Sequence, residues 1–129
     1  MSYAVVNPVD RYTAQGLVSP DGPLPRTLGG EGAGAVDGRP VLVAGSGLGA
    51  TRNGTWSQQA VVPRQAVLDL PRGVDPQQTA SAGVAGLTAW NTVVELVAVT
   101  AADRVLVLGG AGGVGLAITS LATSLGAQV

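Results

Sequence analysis

The feature that most constrains the fold is a glycine-rich turn between two apolar segments near the C-terminal end of the chain. Val105 to Leu108 is a short, uncharged run rich in β-branched residues, which is typical of a buried parallel strand. The residues from Gly110 to Gly115 then spell G-x-G-x-x-G. Apolar residues recur at helical spacing up to Leu125, where Gly126 suits the end of a helix. Strand, turn and helix in this order predict the start of a βαβ unit.

The spacing of the glycines favours a dinucleotide ligand. Gly110 is expected to make the tight turn, Gly112 to let the backbone approach a phosphate, and Gly115 to let helix and strand pack closely. The N-terminus of the following helix offers N–H groups and a positive dipole end to a pyrophosphate. The candidate cofactor-binding residues in this turn are Gly110, Ala111, Gly112, Gly113, Val114 and Gly115.

Other interpretations of the same segment differ in strength. A glycine-rich turn without a ligand stays open, because the chain has 20 glycines. A nucleotide-triphosphate loop needs a lysine, and all seven basic residues of this chain are arginines. The segment from Val105 to Val129 is uncharged and long enough to span a bilayer. Its glycine cluster and its one-sided apolar stripe disfavour a membrane helix.

The overall composition excludes several classes of function. The net charge is −1 and there is no basic run, which argues against a nucleic-acid partner. Because cysteine and histidine are both absent, a zinc site is nearly excluded, and so are Ser-His and Cys-His nucleophiles. No leader peptide is visible, so a cytoplasmic location is expected.

The short apolar runs and turn signals of the N-terminal part predict a small antiparallel β domain from Ser2 to about Leu70. Asn7 suits a helix N-cap and Pro8 a first helical position, so a short helix is expected up to Gln15. Asp37-Gly38 between apolar runs is a hairpin signal. Strands are expected at Ser2 to Val6, Val41 to Ala44, Thr55 to Val62 and Val67 to Leu70.

The chain changes character after Pro71. Asp75 and Pro76 are typical of a helix start, and Gln78 completes a capping-box arrangement. A second helical stretch is expected over Thr88 to Val99, with Trp90, Val94 and Val97 on one side.

Several short motifs together resemble one family, in matching order along the whole chain. They are Asn7-Pro8-Val9-Asp10 with Tyr12, Gly30-Glu31-Gly32-Ala33-Gly34, Gly54-Thr55-Trp56, Leu70-Pro71 with Gly73-Val74, Leu87-Thr88-Ala89-Trp90, Val105-Leu106-Val107, Gly112-Gly113-Val114-Gly115 and Leu125-Gly126-Ala127. The chain resembles the medium-chain dehydrogenases/reductases, in the zinc-free quinone oxidoreductase (zeta-crystallin-like) branch. Zinc-dependent members carry a histidine at the position of Gly30.

The resemblance implies an α/β fold with a β-rich N-terminal part. Residues 1–74 would form a trimmed GroES-like β-barrel catalytic domain, and residues 75–129 the beginning of a Rossmann domain. The family reduces quinones or conjugated carbonyls with a nicotinamide cofactor bound between the two domains. NADP is the expected cofactor, with NAD as the open alternative. A small quinone or enone substrate and a homodimer of the full-length enzyme are the implied partners, without nucleic acid or membrane.

Matching motif positions carry the family's site onto this chain. Tyr12 and Asn7 would lie near the nicotinamide and the substrate carbonyl, where a phenol or an amide can hydrogen-bond an oxygen that gains negative charge. Thr88 would lie near the cofactor. The alternatives are a surface role for Tyr12, a capping role for Asn7 and a structural role for Glu31.

Two departures from the family pattern affect these expectations. Asp37-Gly38-Arg39-Pro40 replaces a longer excursion of the family with a direct hairpin. The residue that selects the ribose would lie roughly 20 residues after the glycine turn, beyond Val129. The chain is therefore expected to be a fragment of a longer enzyme.

Two further functions stay open beside the quinone oxidoreductase. The enoyl reductase domain of polyketide synthases has similar motifs. A non-catalytic structural or binding protein of the same fold is the other alternative.

Overall fold

A computed structural model describes all 129 residues, which divide into two compact units, Met1–Gly83 and Val84–Val129. The point of division lies further along the chain than the predicted domain boundary between residues 74 and 75. That boundary concerns the domains of the family and stays a prediction. None of the helices is both long and apolar enough to cross a membrane.

The first unit is built on a four-stranded antiparallel sheet in the order β1-β2-β3-β4. Its strands are β1 (Tyr3–Ala4), β2 (Glu31–Val36), β3 (Arg39–Ala44) and β4 (Val67–Asp69). β2 and β3 pair over their full length, from Glu31 opposite Ala44 to Val36 opposite Arg39. The chain reverses between them at Asp37 and Gly38, whose φ values of 50° and 76° are those of a type I′ turn. The predicted hairpin is confirmed.

The core of this unit lies along β3. Val41 and Val43 are buried and pack with Leu48 and Ala66, the latter at the end of a short 3₁₀ turn (Arg64–Ala66). Their alternation along the strand is the period of two that places every second side chain on the core face.

The strand predicted over Thr55 to Val62 is wrong. Its polar groups make other bonds: the Thr55 hydroxyl donates to the Glu31 carbonyl oxygen, and the Trp56 indole N–H donates to the Val5 carbonyl oxygen. The chain then turns tightly at Ser57. The Ser57 N–H donates to the Thr55 carbonyl oxygen, and the Ser57 hydroxyl donates to the Gln59 carbonyl oxygen. Local side-chain bonding of this kind competes with a sheet ladder. The strand expected at Ser2 to Val6 is reduced to the two residues of β1.

Helix α1 (Pro8–Ala14) begins as predicted, with Asn7 in extended conformation at the N-cap. The Asn7 N–H donates to Asp10 Oδ2 at 2.8 Å, which is the return half of a capping box. After the helix, Gly16 adopts a φ of 73°, a value suited to glycine.

Helix α2 (Pro76–Trp90) begins at the predicted site, where the Asp75 carboxylate accepts the Gln77 N–H at 2.9 Å. Gly83 within it leaves the helical backbone, with φ −12° and ψ −116°. A π-helical segment (Asn91–Leu96) follows directly after Trp90.

Trp90, Val94 and Val97 do not share one side as predicted: Val94 packs against the core, whereas Trp90 and Val97 are exposed, because the π-helix shifts the register. The Val97 N–H bonds the Thr92 carbonyl five residues back rather than four. Val93 is therefore the buried residue, while Val97 is 63% exposed.

The core of the second unit joins the π-helix to helix α3 (Gly113–Ser124). Val93 packs with Ala122 and Ala127, and Ile118 and Leu121 extend the contact. Gly126 ends α3 with a φ of 89°, as predicted.

The buried parallel strand predicted at Val105 to Leu108 is wrong for this structure. One parallel bridge, between Arg104 and Gln128, joins the two chain segments. Leu106 and Leu108 are 85% and 87% exposed. A parallel strand needs neighbours beside it and helices on both faces, and the segment Ala127–Val129 supplies one short neighbour.

Candidate functional site

The glycine turn before α3 is closed by one backbone bond. The Gly112 N–H donates to the Gly109 carbonyl oxygen at 3.0 Å, so that Gly110 and Ala111 lie at the tip of the turn. Gly109 has the positive φ, 76°, that favours glycine. The sequence motif begins at Gly110 and so missed Gly109, although a glycine directly after an apolar run was the available signal.

The glycines of the turn differ in how much space surrounds them. A Cβ at Gly110 would meet the Val107 carbonyl oxygen at 3.6 Å, which is an ordinary contact. A Cβ at Gly115 would overlap the Gly109 carbonyl oxygen and lie 2.8 Å from the Gly110 Cα. Gly115 therefore lets the first turn of α3 pack directly on the glycine turn.

Gly112 occupies the N-cap position of α3 in an extended conformation, with φ −79° and ψ 163°. A Cβ there would have the Gly109 carbonyl oxygen, 3.4 Å away, as its nearest neighbour. Any residue can adopt this backbone, so a side chain at this position would project into open space beside the helix start. The chain itself does not require a glycine here.

The start of α3 presents backbone donors. An α-helix leaves its first N–H groups without intrahelical partners, which here are those of Gly113, Val114 and Gly115. No acidic residue lies in the first turn to oppose an anion. Together with the helix dipole, these groups can bind a phosphate or another anion.

Thr88 lies on α2 in the same unit as the glycine turn. A Cβ at Gly113 would touch the Ala85 Cβ at 3.7 Å, so this part of α2 lies beside the start of α3. Thr88 follows Ala85 by three residues and shares its side of the helix. Its hydroxyl donates to the Val84 carbonyl oxygen at 2.7 Å, which leaves the oxygen lone pairs for another donor.

Asn7 and Tyr12 lie in the first unit, at and on α1. The Asn7 side-chain nitrogen donates to Glu31 Oε1 at 2.6 Å. Tyr12 is 47% exposed, and its hydroxyl makes no hydrogen bond within the chain. The two residues are not separated by the three or four positions that place helical side chains on one face.

Sequence reasoning missed the buried acids around Asn7. Asp10 is buried and accepts the Gly30 N–H through Oδ1 at 3.2 Å, in addition to its bond to Asn7. Glu31 is 1% exposed. The Asn7–Asp10 spacing was a visible signal of a capping box, but no local pattern indicated that Asn7 bonds a residue 24 positions away.

One exposed acid in the second unit has a shifted pKa. The Thr100 backbone N–H and hydroxyl donate to Asp103 Oδ2 at 2.7 and 2.8 Å. These bonds favour the charged form and lower the pKa of Asp103 below its ordinary value. Asp103 stabilises the turn that leads into Val105.

Comparisons with known proteins agree on one superfamily. The chain is 32% identical over 130 residues to a human protein named quinone oxidoreductase, in a match that covers 96% of this chain. It is 37% identical over 111 residues, or 83% of this chain, to polyketide synthase GfsB of Streptomyces halstedii. Among solved structures, the quinone oxidoreductase of Thermus thermophilus, also solved in complex with NADPH, matches 97% of this chain with a TM-score of 0.77 and 27% identity. The chain belongs to the medium-chain dehydrogenase/reductase superfamily.

These matches cover most of this chain but a much smaller share of each matched protein. The chain spans 40% of the length of the human relative, 2% of the polyketide synthase and 40% of the Thermus chain. No protein-family model matches the chain. The superfamily assignment confirms the resemblance found in the motifs, and with it the fold class: a GroES-like part followed by the beginning of a Rossmann domain.

Proposed function

We propose that this medium-chain dehydrogenase/reductase chain is part of a zinc-independent oxidoreductase that uses NADPH to reduce a quinone or a conjugated carbonyl. The observation that carries the proposal is the glycine turn at the start of α3. There, residues without a side chain lie next to N–H groups that have no intrahelical partner. The NADPH complex of a solved relative supports NADP as the cofactor, with NAD as the alternative. The absence of cysteine and histidine supports zinc independence.

The residues of the turn fit a dinucleotide pyrophosphate. The N–H groups of Gly113, Val114 and Gly115 would donate to its oxygens, while Gly110 and Ala111 form the tip of the turn. The N–H of Gly112 is already donated to Gly109, so its contribution is the missing side chain that allows phosphate to approach. Thr88 would offer a hydroxyl oxygen to the same cofactor.

The proposed chemistry needs a hydride donor and a polarised acceptor. When bound at the glycine turn, a nicotinamide would supply the hydride for the quinone or enone, and a proton from solvent would complete the reduction. The Tyr12 hydroxyl and the Asn7 amide would donate to the acceptor oxygen as it becomes negative. The exposure of Tyr12 and its unbonded hydroxyl are consistent with this role.

The substitution Gly112→Val in the intact protein tests the cofactor site. A branched side chain there would block the approach of phosphate and remove about two charge-assisted hydrogen bonds, or about 3 kcal/mol. NADPH affinity should fall roughly a hundredfold. The melting temperature should change little, because the backbone at Gly112 suits any residue.

Calorimetric titration with NADPH and a thermal melt on the same sample measure both quantities. Ser120→Val, at an exposed position further along α3, is the matched control and should bind NADPH normally. An unchanged affinity in a folded Gly112→Val protein would reduce the glycine motif to a structural turn.

The polyketide-synthase match favours a second candidate, an enoyl reductase that acts on an α,β-unsaturated thioester. NADPH oxidation with a 1,4-benzoquinone and with a 2-enoyl thioester of pantetheine separates the two substrate classes. NADPH binding without turnover of either substrate would favour a non-catalytic member of the fold.

A further inference from the structure

A buried polar network lies beneath the candidate catalytic residue Asn7. Glu31, at the start of β2, is 1% exposed, and Thr55 beside it is fully buried. The Thr55 hydroxyl donates to the main-chain oxygen of Glu31 at 2.7 Å, which fixes the backbone at this point. The Glu31 carboxyl group has no role in the proposed reaction, and its burial among protein atoms calls for a reason.

The network holds Asn7 from two sides. Its backbone N–H donates to Asp10, and its side-chain nitrogen donates to Glu31 Oε1 at 2.6 Å. Hydrogen bonds between an amide N–H and a carboxylate are among the stronger ones in proteins. Asp10 is in turn anchored to the Gly30 N–H, next to Glu31 in the chain. Backbone and side chain of Asn7 are thus both tied to the start of β2.

A missing side chain on α2 makes room for the Glu31 carboxyl group. A Cβ at Gly83 would overlap Glu31 Oε2 and lie 2.8 Å from Glu31 Cδ. The carboxyl group therefore occupies the volume that a side chain at position 83 would take. Because Glu31 is buried, it has little freedom to move aside.

We propose that Glu31 is a positioning residue for the reaction, which it serves by fixing the orientation of the Asn7 amide. A carboxylate can only accept hydrogen bonds, whereas an amide has a donor end and an acceptor end. Glu31 therefore selects the amide orientation with nitrogen inward, and the second N–H of Asn7 stays available as a donor. A donor held in place in advance stabilises a developing oxyanion better than one that must reorient. This inference rests on the proposed reductase function.

The substitution Glu31→Gln removes the selection but keeps the size of the side chain. A glutamine can donate or accept, so both orientations of the Asn7 amide become possible. In the intact protein, kcat for NADPH-dependent reduction should fall about tenfold, since misplaced catalytic groups lower the rate. The NADPH dissociation constant should not change.

A double-mutant cycle with Asn7→Ala tests whether Glu31 acts through Asn7. If it does, Glu31→Gln has no further effect on kcat in the Asn7→Ala background. Thr55→Val is the matched control, since it breaks a buried bond to Glu31 but touches only its main chain. It should lower the melting temperature and leave kcat unchanged.

A second measurement, by NMR, does not depend on enzymatic turnover. In the NMR spectrum of the uniformly ¹⁵N-labelled protein, the Asn7 side-chain amide should show one downfield, exchange-protected proton. Glu31→Gln should abolish that signature. Gly83→Ala, which displaces the carboxyl group without altering its chemistry, should do the same and should lower kcat as Glu31→Gln does. It also provides the test if Glu31→Gln does not fold.

The outcomes separate this inference from the proposed function. A wild-type protein that reduces neither substrate class overturns the function, and the NMR arm still tests the hydrogen bond. A wild-type protein that turns over, with additive effects of Glu31→Gln and Asn7→Ala on kcat, overturns the positioning role alone. An unchanged Asn7 amide signal in both Glu31→Gln and Gly83→Ala also overturns it.

Discussion

The two units of the chain differ in how far their apolar β-strand segments are paired. In the first unit, β2 and β3 are joined by a two-residue turn and pair over six residues, which buries Val41 and Val43. In the second unit, the segment Val105 to Leu108 is equally apolar, but its leucines are exposed. An antiparallel hairpin carries its partner within the same short stretch of sequence, whereas a parallel strand depends on distant segments. Apolar composition alone therefore does not make a strand.

The largest expected effect concerns the second unit. Gly115→Val places a side chain against the backbone of Gly109 and Gly110, which cannot rotate away. Overpacking of this kind should lower the free energy of unfolding by about 3 kcal/mol. Urea unfolding followed by circular dichroism measures it.

Gly113→Ala is the control for Gly115→Val, because a Cβ at Gly113 makes an ordinary contact with Ala85. It should stabilise α3 by up to about 1 kcal/mol. Equal stability of the two variants would show that the glycine turn and α3 are not closely packed.

The next prediction compares the two apolar strands directly. Val43→Ala removes buried methyl groups from the core of the first unit and should cost about 2 kcal/mol. Leu106→Ala in this chain should change the free energy of unfolding by less than about 0.5 kcal/mol, because the side chain is exposed. Denaturant unfolding of both variants measures the difference. A loss for Leu106→Ala as large as that for Val43→Ala would mean that Leu106 is packed rather than exposed.

A smaller loss of stability is expected at two glycines, one in each unit, that have the same backbone conformation. Gly109 in the second unit and Gly38 in the first both have a φ of 76° and open space around them. Alanine at either position should cost about 1 kcal/mol for the left-handed backbone. Gly110→Ala, whose φ is not in that region, should be neutral or slightly stabilising. Thermal melts of the three variants rank these costs, and a neutral Gly109→Ala would contradict the turn geometry.

The smallest effect concerns the turn before Val105. Because the pKa of Asp103 is lowered on folding, its charged form contributes stability in full above its unfolded pKa. That contribution is lost as the pH falls through the lowered folded value. Asp103→Asn should therefore destabilise the chain near neutral pH and have no effect in strong acid. Stability curves of both proteins against pH measure the difference, and parallel curves would show that the Thr100 bonds contribute nothing.

Elements with a local physical cause could be predicted from the sequence. Asp37-Gly38 specified the hairpin, Asn7-Pro8 the start of α1, and Gly126 the end of α3, because each requirement lies within a few residues. The strand over Thr55 to Val62 could not be excluded in this way. Its alternative bonds go to Val5 and Glu31, which are distant in sequence.

The same distinction applies to the candidate site. The glycine turn and its helix were predictable as a contiguous motif, and they are present at the start of α3. The network of Asn7, Glu31 and Gly83 was not, since it joins three separate segments of the chain. The roles of Asn7, Tyr12 and Thr88 in binding and catalysis stay predictions.

The carboxyl group that fills the space beside Gly83 couples the residue choice at position 31 to that at position 83. With Glu31 in place, a methyl group at position 83 overlaps the carboxyl group and carries a steric cost that a shorter side chain at position 31 would remove. Related sequences should therefore show epistasis between the two positions, with glycine at 83 wherever glutamate stands at 31.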